Sequence, residues 1–184
     1  MQMKQYYWWW EKIVNKDQIK KINKCKPIVG KNTAALVKQS SKVVFLPYKK
    51  IKKNLNNAVE HCYHSNTNNF GYTLFSFTNQ YVHHNTYSSK NKGQYDWHVD
   101  ANDDFTYDVK FTVIINVSEK KYEGGKFMIY NGSKKVHVVQ LDNPGAMLMF
   151  RSNLLHKVEP VTKGERKTLT IFLLGPNFKW KQLY

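Results

Sequence analysis

Two histidines and one aspartate have the types and the spacing of a metal site. His98 and Asp100 are two residues apart, so in an extended strand both side chains project from the same face. His156 could bring a third ligand from a later strand. Two imidazoles and one carboxylate on one side of a metal leave coordination positions open for an organic co-substrate and dioxygen, as in non-haem Fe(II) sites. The three residues alone leave a second interpretation open, in which each is an ordinary hydrogen-bonded residue.

Arginine is used so sparingly that its positions are informative. The chain has 29 lysines and arginines together, of which only Arg151 and Arg166 are arginines. Arginine grips a carboxylate through two parallel hydrogen bonds, which lysine cannot do. Arg166 follows His156 closely and is therefore a candidate to bind the far carboxylate of a dicarboxylic acid whose near end chelates the metal. The alternative is a solvent-exposed turn residue paired with Glu165.

The sequence from about Tyr72 to Pro176 resembles the iron(II)- and 2-oxoglutarate-dependent dioxygenases, in their prolyl 4-hydroxylase-like branch. The segment from His156 to Arg166 runs His-Lys-Val-Glu-Pro-Val-Thr-Lys-Gly-Glu-Arg. It is similar to the His-Arg-Val-x-Pro-Val-x-x-Gly-x-Arg pattern of bacterial PKHD-type hydroxylases. Residues 123–127 resemble the family's Gly-Gly-acidic-Leu motif at the start of a strand, with Lys126 in place of the acidic residue.

This resemblance implies an activity, its co-substrates and a partner. Such an enzyme holds Fe(II), uses 2-oxoglutarate and O2, and hydroxylates a C–H bond with succinate and CO2 as co-products. Ascorbate is a further expected cofactor. The branch implies a peptidyl proline as the target, and hence a protein or peptide substrate. Two alternatives are an oxygenase acting on nucleic acid or a small molecule, and a non-catalytic cupin-like binding module.

The resemblance also assigns site residues. It implies three metal ligands and one residue for the C5 carboxylate of 2-oxoglutarate, which are His98, Asp100, His156 and Arg166. Three further candidates for the 2-oxoglutarate site are Tyr87, Tyr95 and Thr170. Tyr95 matches a recurrent tyrosine of the family, whereas Tyr87 matches the tyrosine that reaches the co-substrate after a one-residue insertion. The chemistry requires no acid–base residue beyond the metal ligands, and none is assigned.

The formal net charge of +16 suggests nucleic acid as a partner, but the distribution of the charge does not favour one. The lysines are spread along the chain, and arginine, which most often contacts base edges, is scarce. The densest basic group, at residues 49–53, is typical of the solvated face of a helix. The positive charge would nevertheless attract an acidic peptide.

The length of 184 residues is enough for a single domain with its own hydrophobic core. Residues 1–70 are predicted to be mainly helical support, residues 71–176 a jelly-roll catalytic core, and residues 177–184 a C-terminal tail. Two cysteines do not make a disulfide framework, and no signal peptide or transmembrane segment is apparent. We therefore expect a cytoplasmic protein without a membrane partner; its oligomeric state is left open.

Two amphipathic helices are predicted ahead of the β-rich part. Asp17 is predicted to cap the first, which runs to about residue 23 and buries Ile19 and Ile22. A second is predicted over residues 48–63, because apolar residues recur there at helical spacing. The Trp8–Trp10 run is expected to wedge the N-terminal segment against the helices or a sheet, with a platform for a substrate or partner as the alternative.

The sequence period changes from helical to two at Gly71. The segments predicted as strands are Val43–Phe45, Tyr72–Phe77, Tyr81–Tyr87, Trp97–Asp100, Phe111–Val117, Lys126–Tyr130, Lys135–Leu141, Met147–Phe150 and Thr168–Leu174. Asn131-Gly132 predicts a hairpin turn. Adjacent His83 and His84 would face opposite sides, so at most one can line a cleft. The fold is predicted to be mostly β with N-terminal helices, a double-stranded β-helix (jelly roll, cupin-like), with loops 88–94 and 101–107 around the cleft.

Overall fold

The computed structural model describes residues 7–28, 40–78, 81–101 and 106–177. Within these ranges, helices α1 and α2 span Lys16–Asn23 and Tyr48–Asn69. The same ranges contain twelve strands, β1 to β12 in chain order, which are Tyr7–Trp10, Lys42–Pro47, Tyr81–Ser88, Tyr95–His98, Asp108–Asn116, Glu123–Gly124, Phe127–Tyr130, Lys135–His137, Met147–Arg151, His156–Val158, Val161–Lys163 and Glu165–Gly175.

Helix α1 begins with a side-chain cap, at Asn15 and not at the predicted Asp17. Asn15 Oδ1 accepts a hydrogen bond from the backbone N–H of Gln18 at 2.9 Å, and Gln18 Oε1 accepts one from the N–H of Asn15 at 2.8 Å. This reciprocal pair is a capping box, which satisfies two backbone donors at the helix start. Asp17 instead lies in the first turn, where a negative charge favours the helix dipole. Ile19 and Ile22 are buried as predicted.

Helix α2 extends further than its apolar pattern predicted. The pattern ended at Tyr63, but the helix continues to Asn69. Asn66 accounts for part of this extension, because its buried side chain donates to the carbonyl of Tyr72 at 2.8 Å and accepts from the N–H of Tyr72 at 3.1 Å. A buried polar anchor of this kind is invisible to a search for apolar periodicity. The predicted basic face of the helix is exposed, and its members are Lys49, Lys50, Lys52 and Lys53.

Two antiparallel sheets pack face to face and form the predicted double-stranded β-helix. The six-stranded sheet has the order β1-β9-β5-β12-β3-β2, and the four-stranded sheet has the order β4-β10-β7-β8. Strands β11 and β6 pair as a short third sheet. Apolar residues of both helices form one core with the outer face of the six-stranded sheet. A second core lies between the two large sheets.

The prediction of a strand over residues 72–77 is wrong. This segment has no regular secondary structure. The N–H of Phe75 donates to the carbonyl of Leu174 at 2.8 Å, and the carbonyl of Phe75 accepts from the Tyr63 hydroxyl. These bonds and those of Tyr72 with Asn66 are scattered contacts with α2 and β12, so the alternating pattern of the segment does not reflect a ladder of paired strands.

The aromatic run at the N-terminal end forms strand β1, which was not predicted as a strand. Strand β1 is an edge strand paired antiparallel with β9. As expected, its rings wedge against the helical layer. Trp8 lies edge-on to Phe70 with ring centroids 6.3 Å apart, and Trp10 lies 5.9 Å from the ring of His61. The predicted hairpin joins β7 to β8, but its connection is the four residues 131–134 and not the predicted two-residue turn Asn131-Gly132.

The side chains of strand β12 alternate between the two faces of the six-stranded sheet. Leu169, Ile171 and Leu173 belong to the core on the helical side. Arg166, Thr168 and Thr170 alternate with these residues and therefore face the four-stranded sheet. The inner face thus carries polar side chains in the middle of a hydrophobic fold, and this is where a cavity opens.

Among the described residues, no helix combines the length and the apolar character that a membrane crossing would need. Cys25 is partly exposed and Cys62 is buried, and both are free thiols. The prediction that the cysteines do not form a disulfide framework is therefore confirmed. Burial raises the pKa of the Cys62 thiol far above its usual range, so Cys62 serves as a core residue.

Candidate metal centre and co-substrate cavity

His98, Asp100 and His156 meet at one end of this cavity. One potential ligand atom from each lies within 4.8 Å of those of the other two. His98 Nε2 is 3.6 Å from Asp100 Oδ1, and His156 Nε2 is 3.3 Å from Asp100 Oδ2. The antiparallel pairing of β10 with β4 places His156 directly opposite His98. Sheet register therefore brings the two histidines together.

Asp100 reaches the cluster from a loop, not from a strand. Strand β4 ends at His98, and the N–H of Asp100 donates to the carbonyl of Ser152 at 2.8 Å. The prediction that a continuous strand over residues 97–100 directs both side chains to one face is therefore wrong in detail. The Ser152 carbonyl fixes the turn instead, and it belongs to the segment that leads into β10.

Backbone carbonyls fix the orientation of both imidazole rings. The carbonyl of Asp96 lies 2.7 Å from His98 Nδ1, and the carbonyl of Leu154 lies 2.8 Å from His156 Nδ1. A carbonyl only accepts hydrogen bonds, so each Nδ1 carries the proton and donates it. Each Nε2 is then left with a lone pair, and both Nε2 atoms point at Asp100. This is the usual way in which the protein orients histidine ligands of a metal.

Asp100 is held as an anion by its neighbours. The Thr112 hydroxyl donates to Asp100 Oδ2 at 2.7 Å. Burial acts to raise the pKa of Asp100, but its contacts with His156, Thr112 and His98 outweigh burial, so the pKa is lowered. Two nitrogen lone pairs and a carboxylate thus converge on one point. A divalent cation with nitrogen and oxygen ligands is the group that this donor set suits.

Aromatic rings pack around the histidines. Tyr95 stacks on His98 with ring centroids 3.6 Å apart and an interplanar angle of 16°. Phe127 and Phe150 contact the ring of His156 with centroid separations of 5.5 and 4.8 Å. These contacts restrict ring rotation and exclude water from the back of the cluster. Tyr95, a candidate for the 2-oxoglutarate site, therefore lies in the cavity wall directly against a ligand.

The cavity next to the cluster has a volume of about 240 Å³. Its walls come from both large sheets, and the residues are Val43, Phe45, His83, Asn85, Tyr87, Tyr95, His98, Asp100, Thr112, Ile114, Phe127, His156, Val158, Thr170 and Phe172. The candidate residues Tyr87, Tyr95 and Thr170 all line it. Of the two loops expected around the cleft, residues 102–105 lie outside the described residues, and residues 89–91 form a 3-10 turn.

Arg166 lies at the buried end of the same face of the sheet. Only 2% of its surface is exposed. Its guanidinium carbon is 5.5 Å from the centroid of the Tyr87 ring, and in the described part of the chain its Nη2 has no hydrogen-bond partner. The alternative of an exposed turn residue paired with Glu165 is therefore wrong. A buried donor without a partner costs roughly 1–3 kcal/mol, so this position is suited to an anionic acceptor that is added later.

Tyr87 completes this end of the cavity. It lies opposite Arg166 in the pairing of β3 with β12. Burial raises the pKa of Tyr87 to about 12, although the positive charge of Arg166 acts to lower it. The hydroxyl is consequently protonated at neutral pH and can donate a hydrogen bond. Its placement supports the one-residue offset that the sequence match required.

A glycine permits the close approach of Arg166 to the cavity wall. Gly125 has a φ of +62°, and a Cβ built on it would lie 2.9 Å from both Arg166 Cδ and Val161 Cγ2. Both the positive φ and the contact exclude a larger residue. The Gly-Gly motif noted in the sequence thus supports the arginine, and Lys126 lies just beyond it in the chain.

Sequence reasoning missed two polar residues of the site. Thr112 lies within an apolar run, where its hydroxyl gives the only sequence signal. Asn85 Nδ2 donates to Thr170 Oγ1 at 2.9 Å, which forms a polar pair in the cavity wall. The expectation that at most one of the adjacent histidines lines the cleft is confirmed. His83 lines the cavity, whereas His84 Nε2 donates to Asn23 Oδ1 at 2.8 Å on the opposite face.

Comparisons with known proteins identify a family and a relative with a similar sequence. Residues 81–174 match the sequence model of the 2OG-Fe(II) oxygenase superfamily. A PKHD-type hydroxylase of Synechococcus sp. (strain CC9605) is 35% identical over 88 residues, which cover 46% of this chain and 39% of that protein. The alignment thus spans less than half of this relative's length.

Solved prolyl hydroxylases share the fold. The enzyme from Pseudomonas putida has a TM-score of 0.68 at 14% identity, with 95% of both chains covered. The viral collagen prolyl hydroxylase of Paramecium Bursaria Chlorella virus-1 has a TM-score of 0.69 at 13% identity, with 94% of this chain and 97% of that chain covered. A Trichoplax adhaerens prolyl hydroxylase in complex with a hypoxia inducible factor peptide has a TM-score of 0.69 at 15% identity, with 92% and 84% covered.

The family match contains the residues that carry the chemistry of the site. Residues 81–174 are just over half of the 184 residues and include the three candidate ligands and Arg166. The ligand cluster suits Fe(II), and the unsatisfied guanidinium suits the distal carboxylate of 2-oxoglutarate, the two groups after which the family is named. The chain therefore belongs to the 2OG-Fe(II) oxygenase superfamily.

Proposed function

We propose that this protein is an Fe(II)- and 2-oxoglutarate-dependent dioxygenase that hydroxylates a C–H bond of a peptidyl proline. The observation that carries the proposal is the pairing of two features in one fold. A converging set of two Nε2 atoms and a carboxylate lines the cavity, and a buried guanidinium with an unsatisfied Nη2 lies against Tyr87, another residue of the cavity wall. A structural role for the polar residues would not leave this Nη2 unpaired.

His98, Asp100 and His156 would hold Fe(II), which supplies when bound the site where 2-oxoglutarate and O2 meet and the oxidising power for hydroxylation, with succinate and CO2 as co-products. The protein contributes to this chemistry by positioning the groups that bind the metal. The Asp96 and Leu154 carbonyls keep both Nε2 atoms available as ligands. All three residues line the cavity, so a metal held by them would be accessible from it.

Arg166 and Tyr87 would bind the C5 carboxylate of 2-oxoglutarate. The guanidinium offers a fork of N–H donors, and the protonated Tyr87 hydroxyl adds one more. The polar pair of Asn85 and Thr170 lines the same cavity. Aromatic and aliphatic residues supply much of the remaining wall, and charged contacts are stronger in such low-polarity surroundings than in water.

The peptidyl proline target is supported by the kinds of proteins that resemble this chain. The sequence relative is a PKHD-type hydroxylase, and a structural neighbour was solved with a peptide. The exposed lysine face of α2 keeps a second candidate open, an oxygenase that acts on nucleic acid. Binding to phosphates would fall steeply with salt, whereas binding of a neutral peptide would not. An oligonucleotide titration at two salt concentrations separates the two.

The reaction class is tested by anaerobic absorbance. Addition of Fe(II) and 2-oxoglutarate to the wild-type protein should give a metal-to-ligand charge-transfer band. His98→Ala and Asp100→Ala should abolish it, because each removes one ligand. His64→Ala is a matched control, since His64 is an exposed residue of α2 that contacts Asn68. Failure of the wild type to give the band, or persistence of the band in the ligand variants, would contradict the proposal.

The catalytic cycle is tested by succinate formation under air. The wild-type protein supplied with Fe(II), 2-oxoglutarate and a library of peptides with a central proline should release succinate, and some peptides should gain one oxygen atom. A charge-transfer band without any succinate across varied substrates would favour the non-catalytic cupin-like alternative. Ascorbate stays a prediction, which the same assay checks by the number of turnovers with and without it.

A further inference from the structure

The side chains of β3 that face the cavity become more exposed along the strand. In β3 the inward-facing residues are Tyr87 and Asn85, which are buried, then His83, which is partly buried, and then Tyr81, which is 57% exposed. The more exposed end of this wall is therefore at Tyr81. If 2-oxoglutarate binds beside Tyr87 and Arg166 as proposed, His83 lies along β3 between it and this exposed end.

Two phenylalanines hold the His83 ring in this wall. Its centroid is 4.8 Å from that of Phe45 and 5.2 Å from that of Phe172, and both contacts have an interplanar angle of 89°. Phe45 is the β-sheet partner of His83 in β2, and Phe172 lies in β12 on the other side of β3. Edge-to-face packing from both neighbouring strands fixes the ring plane. The imidazole is thus preorganised without using its polar atoms.

The polar atoms of His83 are available to a ligand. Among the described residues, neither ring nitrogen of His83 has a hydrogen-bond partner, and the ring lines the cavity. By contrast, His84 on the opposite face is bonded to Asn23. Burial lowers the pKa of His83, and the Asp100 carboxylate counters this only in part, so the imidazole is neutral at pH 7.

A neutral imidazole offers one donor and one acceptor, which matches an amide better than a carboxylate or a phosphate. A peptide in an extended conformation presents both an N–H and a carbonyl at the residue next to its target. The flanking rings of Phe45 and Phe172 provide an apolar contact for a saturated ring. The site therefore suits an uncharged amide with an apolar ring beside it.

We propose that His83 is a substrate-positioning residue, which hydrogen-bonds a backbone amide of a peptide substrate while the target ring packs against Phe45 and Phe172. This inference rests on the proposed function, because it assumes that 2-oxoglutarate occupies the Arg166 end. It assigns recognition of the peptide to the edge of the six-stranded sheet formed by β2 and β3.

The test compares two substitutions of His83 with the peptide library described above. His83→Phe preserves the ring and its aromatic packing but removes both polar atoms. His83→Gln restores one donor and one acceptor. We expect the KM of the best peptide to rise roughly 2- to 13-fold in His83→Phe, the range for one net hydrogen bond, and to return towards the wild-type value in His83→Gln.

Two further measurements separate positioning from a merely structural role. The hydroxylated peptide formed per succinate should fall in His83→Phe, because a badly placed peptide lets 2-oxoglutarate turn over without hydroxylation. The anaerobic charge-transfer band and the affinity for 2-oxoglutarate should stay within about twofold of wild type in both variants, the scatter allowed for an uninvolved contact. His84→Gln is the matched control on the same strand and should leave the ratio of product to succinate unchanged.

The outcomes are distinguishable. A His83→Phe variant with wild-type KM and wild-type product per succinate would overturn this inference alone. So would a His83→Gln variant that binds 2-oxoglutarate normally but recovers no peptide affinity, or a wild-type protein that gives the charge-transfer band and modifies no peptide. Absence of the band in the wild type would overturn the proposed function, and this inference with it.

Discussion

Arg166 offers the sharpest test of the site. Its buried guanidinium should destabilise the protein without co-substrate and stabilise the complex with 2-oxoglutarate. In the protein without co-substrate, a buried guanidinium with an unpaired Nη2 is a cost. With co-substrate, the same group makes a charge-assisted pair. Arg166→Met keeps most of the buried volume and removes the charge. We expect it to weaken 2-oxoglutarate binding and to stabilise the protein without co-substrate.

The expected changes in 2-oxoglutarate affinity and in stability follow from the burial of Arg166. Losing one partner of a buried charged pair costs roughly 2–5 kcal/mol, which is roughly a 30- to 5,000-fold loss of 2-oxoglutarate affinity. Relief of the unpaired donor contributes roughly 1–3 kcal/mol of stability. A protein of this size gains roughly 2–4 °C in Tm per kcal/mol. The apo Tm should therefore rise by several degrees while affinity falls.

The assay is an anaerobic titration of the charge-transfer band with 2-oxoglutarate, together with thermal unfolding of the protein without Fe(II) or 2-oxoglutarate. Arg151→Met, at the other arginine, should leave the affinity unchanged. An Arg166→Met variant with wild-type affinity would remove Arg166 from the co-substrate site. A fall of the apo Tm in this variant would refute the reasoning that the guanidinium is unsatisfied before co-substrate binds.

The remaining predictions concern the supports of the site and the fold. Thr112→Val removes a hydrogen bond to Asp100 and should weaken Fe(II) binding by roughly 10- to 100-fold in an anaerobic titration. Gly125→Ala should weaken 2-oxoglutarate binding, since its Cβ would collide with the arginine side chain. His84 has a pKa lowered to about 4 by burial, so unfolding experiments should show stability lost as pH falls from about 6.5 towards 4, by at most about 3 kcal/mol.

Each of these predictions has a matched control. Gly132→Ala also replaces a glycine of positive φ, but nothing lies within 4 Å of its Cβ, so it should leave 2-oxoglutarate affinity unchanged. Thr67→Val removes an exposed hydroxyl of α2 and should not alter Fe(II) affinity. The unfolded state binds the proton at His84 more readily than the folded state, so His84→Gln should flatten the pH dependence between 4 and 6.5. An unchanged pH profile in that variant would contradict the assignment.

The ligand residues could be predicted from the sequence because register and residue type act together. His98 and His156 are separated by many residues, yet both lie at positions where a β-rich fold pairs strands. Arg166 could be predicted because the chain otherwise uses lysine. In each case the type and position of the residue in the sequence were enough to indicate a binding role.

The missed features depend on contacts that no local pattern contains. Thr112 is a hydroxyl in an apolar strand, and its role follows from the loop that brings Asp100 beside it. The loss of the strand predicted at residues 72–77 reflects competition for partners, because β12 already pairs with β3 and β5. Strand β1 was missed since consecutive aromatic residues have no period, although β9 offers them a free edge.

The two faces of the six-stranded sheet explain how the fold can carry an unsatisfied site. On the outer face, apolar residues of α1 and α2 pack against the sheet and supply a large continuous core. The inner face can then hold Arg166, Asn85 and Thr168 in buried positions without losing the fold. Stabilising substitutions on the helical side should therefore leave the affinity for 2-oxoglutarate unchanged. A substitution that stabilises the protein at Arg166 should instead weaken 2-oxoglutarate binding, because stability and function conflict at this residue.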